Sequence, residues 1–280
     1  MDPTERKPLD RELDVFGMTD VGKVRKRNED QFLICSLHKR MKVHSTSLPS
    51  MDLLPLSGER MTLLTLVADG VGGHAGGDKA SRLATETIAR YITHSMQCYY
   101  TRDPHEDEFL DQLHNTVMRC HEDLVAEASK SPESEGMATT LTLLLEMWPK
   151  GYIVQVGDSR CYRLRGDRLI QITRDQTLAQ DLIDEGVVTP SKADAWSHVL
   201  SSAMGGAEAK PVIYKIDLSW DDVVLLCSDG LIAHVTDDEI HDELSNMESA
   251  EQVGRKLVSM ALERGGRDNV TLVVGTTKPA

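Results

Sequence analysis

Short apolar runs separated by glycine, proline and acidic residues occupy both ends of the chain, and two longer amphipathic stretches lie between them. Short runs bounded by such turn residues are typical of β-strands. They predict strands at 13–16, 31–37, 62–70, 139–148, 152–165, 167–173, 212–218, 223–230 and 268–276. Tight connections at 149–151 and 166–167 favour antiparallel neighbours.

The amphipathic stretches repeat apolar residues at spacings of three and four, which predicts helices over 78–99 and 106–129. Shorter helices are predicted near 178–185, 237–245 and 250–265. The order is therefore strands, two helices, several strands, two helices and one strand. Because this order lacks regular β-α alternation, the predicted fold class is α+β with antiparallel sheets.

All predicted elements fall between residues 13 and 276, which we expect to form one domain. Residues 1–12 are polar and predict a flexible N-terminus, and 277–280 form a short tail. Residues 38–60 contain two prolines and show no period, as in a long loop or a hairpin excursion.

The composition narrows the class of protein. Lys and Arg number 31 and Asp and Glu 45, so the net charge of −14 argues against a nucleic-acid partner. No run approaches the ~18 apolar residues of a membrane span, and the first residues lack an apolar signal core. Five cysteines without a C-x-x-C pair indicate buried thiols and a cytoplasmic location. A monomer is the default expectation.

Acidic residues stand at the edges of the apolar runs, where strands leave the core. They are Glu29, Asp30, Asp69, Asp158, Asp229 and Asp268. Two carboxylates ~4 Å apart repel by about 4 kcal/mol at an effective dielectric of ~20. If the edges converge, the cluster must bind protons or cations, and oxygen ligands favour hard ions such as Mg²⁺ or Mn²⁺. Gly70 would let its carbonyl approach an ion closely.

Each acidic position also has a simpler interpretation. Asp-Gly pairs such as Asp69-Gly70 and Asp229-Gly230 are common turns, and Asp268-Asn269 alone would read as a turn or a cap. The metal hypothesis therefore depends on the joint pattern.

Six segments, in order along the chain, carry a family resemblance. They are 25–30 (RKRNED), 69–77 (DGVGGHAGG), 136–140 (GMATT), 156–160 (VGDSR), 227–231 (CSDGL) and 266–270 (GRDNV). Together they resemble the metal-dependent Ser/Thr protein phosphatases of type 2C, the PPM family, in its bacterial branch. The resemblance spans about residues 13–275.

This resemblance implies a sandwich of two antiparallel sheets flanked by pairs of helices, with a two-metal site at one edge. It implies that Asp69 bridges two Mn²⁺ or Mg²⁺ ions, that Asp229 and Asp268 hold the first, and that Glu29 and the Gly70 carbonyl serve the second. Asp158 matches the position that binds a third metal in bacterial members. Residues 174–206 match the family's flap beside the active site.

The implied reaction is hydrolysis of phosphoserine and phosphothreonine by in-line attack of a metal-bridging water, without a phosphoenzyme. Asp30 would order that water, and Arg25 would hold the phosphate through two parallel hydrogen bonds. His74 is the candidate general acid because its ordinary pKa, ~6.5, is near working pH. From the residues alone, Arg25 also fits a solvated basic cluster and His74 a loop residue bonded to backbone.

The implied partners are phosphoprotein substrates in signalling, together with an opposing Ser/Thr kinase and its targets, with no nucleic-acid or membrane partner. One alternative is a PPM-fold regulator or scaffold with little catalytic activity, which would have lost its metal aspartates. Another is a phosphatase of similar fold in a sigma-factor switch, where the arginine is often missing. A calcium-binding structural domain would need an EF-hand loop, and the sequence has none.

Overall fold

The computed structural model describes residues 6–38, 42–43, 45, 50, 58, 60–71, 76–95 and 106–278, and two five-stranded antiparallel sheets form its centre. In spatial order the first sheet contains β1 (Leu13–Asp20), β12 (Val270–Thr277), β11 (Val223–Cys227), β8 (Arg160–Arg165) and β9 (Arg168–Gln171). The second contains β10 (Val212–Asp217), β7 (Lys150–Val156), β6 (Leu141–Met147), β3 (Arg60–Ala68) and β2 (Gln31–His38). A small ribbon pairs β4 (Gly70–Val71) with β5 (Ala138–Thr139).

Two pairs of helices cover the outer faces of the sandwich. Helices α1 (Gly77–Ser95) and α2 (Glu106–Ala128) pack on the second sheet, and α5 (Asp237–Ser245) and α6 (Ala250–Glu263) pack on the first. The apolar stripes of the helices enter these two outer cores. The α+β sandwich with helical pairs is therefore confirmed. Two short helices, α3 (Leu178–Asp184) and α4 (Asp229–Ile232), lie in the flap and directly after β11.

A third apolar cluster fills the space between the sheets. Its buried members are Val67, Leu144, Ile153, Cys161, Val224, Leu226 and Val273. The central strands are thus covered on both faces, by helices outside and by the opposite sheet inside. This explains why β3 reads as a continuous apolar run and not as an alternating one.

Strand register places one end of each sheet at a common rim. In the second sheet Gln31 pairs with Ala68, so the residues before β2 and after β3 are neighbours. In the first sheet Asp20 pairs with Val270, and Cys227 pairs with Leu272. The acidic residues that flank these strands therefore emerge on the same side.

The structure differs from the sequence expectations at the N-terminus, at Asp229 and in the predicted strand 152–165, which forms two strands in different sheets, β7 and β8. Residues 6–12, expected to be flexible, are anchored: Glu12 is 4% exposed and pairs with Arg6, and Arg60 Nη2 donates to the Pro8 carbonyl at 2.7 Å. Asp229 begins a helix instead of extending a strand. Most of the 38–60 excursion, and residues 1–5, lie outside the described residues.

No helix in the described ranges is both long and apolar enough to cross a bilayer.

Candidate active site

The acidic residues predicted from the strand ends meet at the rim. Asp69 follows β3, and its carboxyl lies within the electrostatic influence of Asp30, Asp229 and Asp158. Burial and these like charges raise the pKa of Asp69 well above its ordinary value. The pKa of Asp229 is also raised, by burial and by the charge of Asp268. Burial and mutual repulsion therefore oppose the simultaneous ionisation of these carboxyl groups.

Asp30 lies at the buried bottom of the cluster, 2% exposed. Its Oδ2 accepts a hydrogen bond from Ser228 Oγ at 2.9 Å, whereas Oδ1 is buried and receives no hydrogen bond from any residue that the structure describes. Burial raises the pKa of Asp30 to about 6, although hydrogen bonds from Thr271 and Ser228 oppose the rise. Because buried carboxylate oxygens normally accept a hydrogen bond, this oxygen is available to accept one from water or to bind a cation.

Asp158 enters from the end of β7 and is 9% exposed. Burial, followed by the charges of Asp229 and Asp175, raises its pKa to about 8. Asp175 is engaged by Arg160, whose Nη2 lies 2.7 Å from its Oδ2. Asp158 thus faces both the central cluster and the start of the flap.

Arg25 and Asp268 form the exposed side of the site. Arg25 Nη2 donates to Asp268 Oδ2 at 2.6 Å, and the Arg25 side chain is 47% exposed. Asp268 Oδ1 accepts the Asn269 amide at 2.8 Å. The arginine expected to hold phosphate is therefore next to the cluster and open to solvent on the other side, with one nitrogen engaged by a carboxylate.

Glu29, in the loop before β2, extends its side chain towards the first turn of α1. A Cβ placed on Gly77 would lie 2.7 Å from Glu29 Oε2, so the carboxyl approaches the start of that helix. Burial raises the pKa of Glu29, with the nearby negative charges of Asp78 and Asp268 adding to the effect and Arg25 opposing it.

Gly70 is required for a packing reason that the sequence did not reveal. A Cβ at Gly70 would lie 2.5 Å from the Gly77 carbonyl and 2.6 Å from the Glu29 carbonyl oxygen. The Gly70 amide also donates to the Glu29 carbonyl at 3.1 Å. Only glycine permits three backbone segments to meet here.

Several residues that fix the site were missed by the sequence analysis. Asn269 Nδ2 donates to the carbonyls of Val21 and Arg27, each at 2.9 Å, and so anchors the loop that carries Arg25. Thr140 Oγ1 accepts the Asp69 amide at 3.0 Å. Asn269, Ser228 and Thr140 all belong to the six quoted segments, which was the only available signal.

Two histidines have different outcomes. His74, the candidate general acid, lies outside the described residues, so its role stays a prediction. His121, on α2, is partly buried, and its Nδ1 accepts a hydrogen bond from the Gly205 amide at 3.1 Å.

The donor set fits hard divalent cations. All the candidate ligands are oxygen atoms, which hard cations prefer. Among them is Asp30 Oδ1, which receives no hydrogen bond from the described residues. The rim also gathers more carboxyl groups than could all be ionised there without cations. Within the described ranges, no three His, Cys, Asp or Glu side chains already stand in a closed ligand arrangement. The carboxyl groups are related by their mutual electrostatic effects at the rim.

Comparison with known proteins places this geometry in a family. The protein phosphatase 2C family profile matches residues 45–271. The serine/threonine protein phosphatase PstP of Mycobacterium tuberculosis is 38% identical over 213 residues, which are 75% of this chain and 40% of PstP. The serine/threonine phosphatase stp of Listeria innocua is 30% identical over 217 residues, covering 75% of this chain and 83% of that protein. The chain thus spans about two fifths of the mycobacterial relative's length.

A solved structure agrees with these sequence matches. The catalytic domain of PstP in complex with two manganese ions superimposes with a TM-score of 0.73 at 33% identity, covering 95% of this chain and 99% of that one. On the family match, the shared sandwich and the convergent acidic rim, this chain belongs to the protein phosphatase 2C family.

Proposed function

We propose that the protein is a metal-dependent phosphatase that hydrolyses phosphoserine and phosphothreonine in proteins by in-line attack of water, without a phosphoenzyme. One observation carries this proposal: six carboxylates from five chain segments gather at one rim, and three of them, Asp30, Asp158 and Asp268, act electrostatically on Asp69 or Asp229. The regulator alternative would have lost these carboxylates, and all six are retained. The relatives named above are themselves called phosphatases.

The carboxylates would hold two Mn²⁺ or Mg²⁺ ions, with Asp69 between them, Asp229 and Asp268 on one and Glu29 with the Gly70 carbonyl on the other. Asp158 would serve a third. Bound divalent ions supply positive charge against the phosphate and lower the pKa of a coordinated water.

Three side chains are proposed to orient the attacking water, to bind the phosphate and to protonate the leaving group. Asp30 Oδ1 would accept a hydrogen bond from the attacking water and so orient it; its lack of a hydrogen-bond partner among the described residues supports this role. Arg25 would exchange part of its pairing with Asp268 for the phosphate oxygens, since its guanidinium is nearly half exposed. His74 stays the proposed donor of a proton to the leaving serine or threonine oxygen.

The partners are proposed from the names of the relatives. Phosphoprotein substrates follow from the relatives' names, and an opposing Ser/Thr kinase and its targets are the natural source of such substrates. A cytoplasmic location, a monomeric state and the lack of nucleic-acid or membrane partners stay predictions.

The test is hydrolysis of para-nitrophenyl phosphate and of a phosphothreonine peptide, each with Mn²⁺ and after chelation. We expect turnover only with metal. Metal-independent turnover, or none with metal on either substrate, would refute the proposal.

The His74→Ala variant should keep activity on para-nitrophenyl phosphate, whose leaving group needs no proton, better than on the peptide.

A further inference from the structure

The C-terminal end of the flap is joined to the strand beside the metal-binding rim. Met204, fully buried, pairs with Thr139: each amide donates to the other's carbonyl, at 2.8 and 3.0 Å. Thr139 is in β5, opposite Gly70 in the small ribbon. The end of the flap therefore adds one antiparallel bridge, Thr139–Met204, to that ribbon.

The same threonine holds the backbone of the central aspartate. Thr139 Oγ1 donates to the Asp69 carbonyl at 2.8 Å, and the Thr140 amide donates to the same oxygen at 2.8 Å. A shift of β5 would thus move Asp69, whose carboxylate is proposed to bridge the metals.

The side chain of His121, on α2, binds the end of the flap. The Gly205 amide, directly after Met204, donates to His121 Nδ1 at 3.1 Å. Gly205 has φ of +78°, and a Cβ there would lie 2.8 Å from the Met137 carbonyl. Gly205 is therefore wedged against the segment that leads into β5, and His121 is the group that binds its amide.

This hydrogen bond requires a free lone pair on Nδ1, because the amide is the donor. Burial lowers the pKa of His121, which favours the neutral ring, and the charge of Glu122 on the same helix opposes that effect. Among the described residues, no charged group of the flap or of the segment before β5 adds to these influences.

We propose that His121 is a positioning residue for the reaction: by accepting the Gly205 amide it fixes the end of the flap and, through Met204 and Thr139, the backbone of Asp69. This inference rests on the proposed function for its catalytic consequence. Its structural part stands on the contacts alone.

The first arm of the test measures the hydrogen bond directly, by amide exchange of Gly205 in the full chain. His121→Ala should speed that exchange at least tenfold. His121→Asn should preserve protection, because Asn Oδ1 can take the place of Nδ1. His114→Ala, an exposed histidine on the same helix, is the matched control and should change nothing. Unchanged exchange in His121→Ala would overturn the proposal.

The second arm measures the consequence at the rim. His121→Ala should lower kcat on para-nitrophenyl phosphate about fivefold and reduce the thermal shift produced by Mn²⁺, and His121→Asn should restore both. Toward pH 5.5 the wild type should approach His121→Ala, whereas His121→Asn should not follow. Faster exchange with unchanged kcat and unchanged Mn²⁺ shift would overturn the positioning role. A wild type inactive with every substrate would refute the proposed function, while exchange and the Mn²⁺ shift would still decide this inference.

Discussion

The backbone amide of Glu29 donates to Asn269 Oδ1 at 2.8 Å, joining two residues 240 positions apart. With its two Nδ2 bonds to Val21 and Arg27, Asn269 uses its whole amide to hold the loop before β2 against the start of β12. That loop carries Arg25 and Glu29, so the exposed side of the site depends on one buried amide.

Asn269→Ala should therefore be costly although it removes no proposed ligand. It leaves the Glu29 amide and two carbonyls without partners, which we expect to lower the free energy of unfolding by about 2 kcal/mol and kcat/KM at least tenfold. Urea unfolding and a phosphopeptide assay measure the two effects. Asn246→Ala, an exposed amide at the end of α5, is the control, and equal losses in the two variants would contradict this account.

Asp69→Asn should abolish activity while the fold persists. The substitution replaces a half-buried carboxyl group whose ionisation its neighbours oppose, so the metal-free variant should be at least as stable as the wild type. Wild type with Mn²⁺ at 100 times its dissociation constant should gain ~2.7 kcal/mol, and the variant should gain much less. Differential scanning calorimetry with and without Mn²⁺ checks both statements, with the exposed Asp111→Asn as control. A full Mn²⁺ shift in Asp69→Asn would remove this residue from the proposed metal site.

Arg25→Ala should weaken substrate use more than metal binding. A charged hydrogen bond contributes about 1.5–3 kcal/mol, so kcat/KM on a phosphothreonine peptide should fall roughly 10- to 100-fold. Arg25→Lys should recover little, because lysine cannot form two parallel bonds to phosphate. The stabilisation by Mn²⁺ should be nearly unchanged. A lost Mn²⁺ shift with unaltered KM would instead assign Arg25 to supporting Asp268.

Glu146 predicts a pH dependence of stability at the opposite end of the sandwich. Its side chain lines a cavity of about 20 Å³ between the sheets, together with Trp148 and Thr277. The Thr277 Oγ1 has no hydrogen-bond partner within the described part of the chain. Burial raises the pKa of Glu146 to about 7, and Arg60 opposes the rise. A carboxyl whose folded pKa is raised stabilises the fold below its unfolded pKa, and this contribution is lost as pH rises toward 7.

Glu146→Gln should therefore flatten this loss. Relative to wild type, the variant should gain about 1–2 kcal/mol of unfolding free energy between pH 5 and pH 8. Urea unfolding at the two pH values measures the difference, and the exposed Glu135→Gln should show none. A wild-type and variant pair with parallel pH profiles would place the Glu146 carboxyl in contact with water.

The sequence predicted most of the fold because its signals are local. Apolar runs on central strands and the helical spacing of residues such as Ile88 and Val117 report burial directly, and both residues are fully buried. The acidic strand ends were identified for the same reason. Asp229 was the exception, since the short helix α4 begins where the strand was expected to continue.

The supporting contacts could not be predicted because they join distant segments. Asn269, Thr140 and His121 act through hydrogen bonds to backbone groups that only strand register brings near. Nothing in the periodicity around His121 distinguishes it from His114, one heptad earlier on the same helix. The pairing of Arg25 with Asp268 was likewise invisible until both loops were in place.

Strand β12 lies between β1 and β11, and β1 has no other partner within its sheet. During synthesis on the ribosome, β1 must therefore wait until residues 270–277 have been made before it can join the sheet. The pocket likewise stays open until then, because Asp268 and Asn269 immediately precede β12. The acidic rim thus cannot assemble before β12 has been synthesised and has paired, so any catalytic competence would arise only after that pairing.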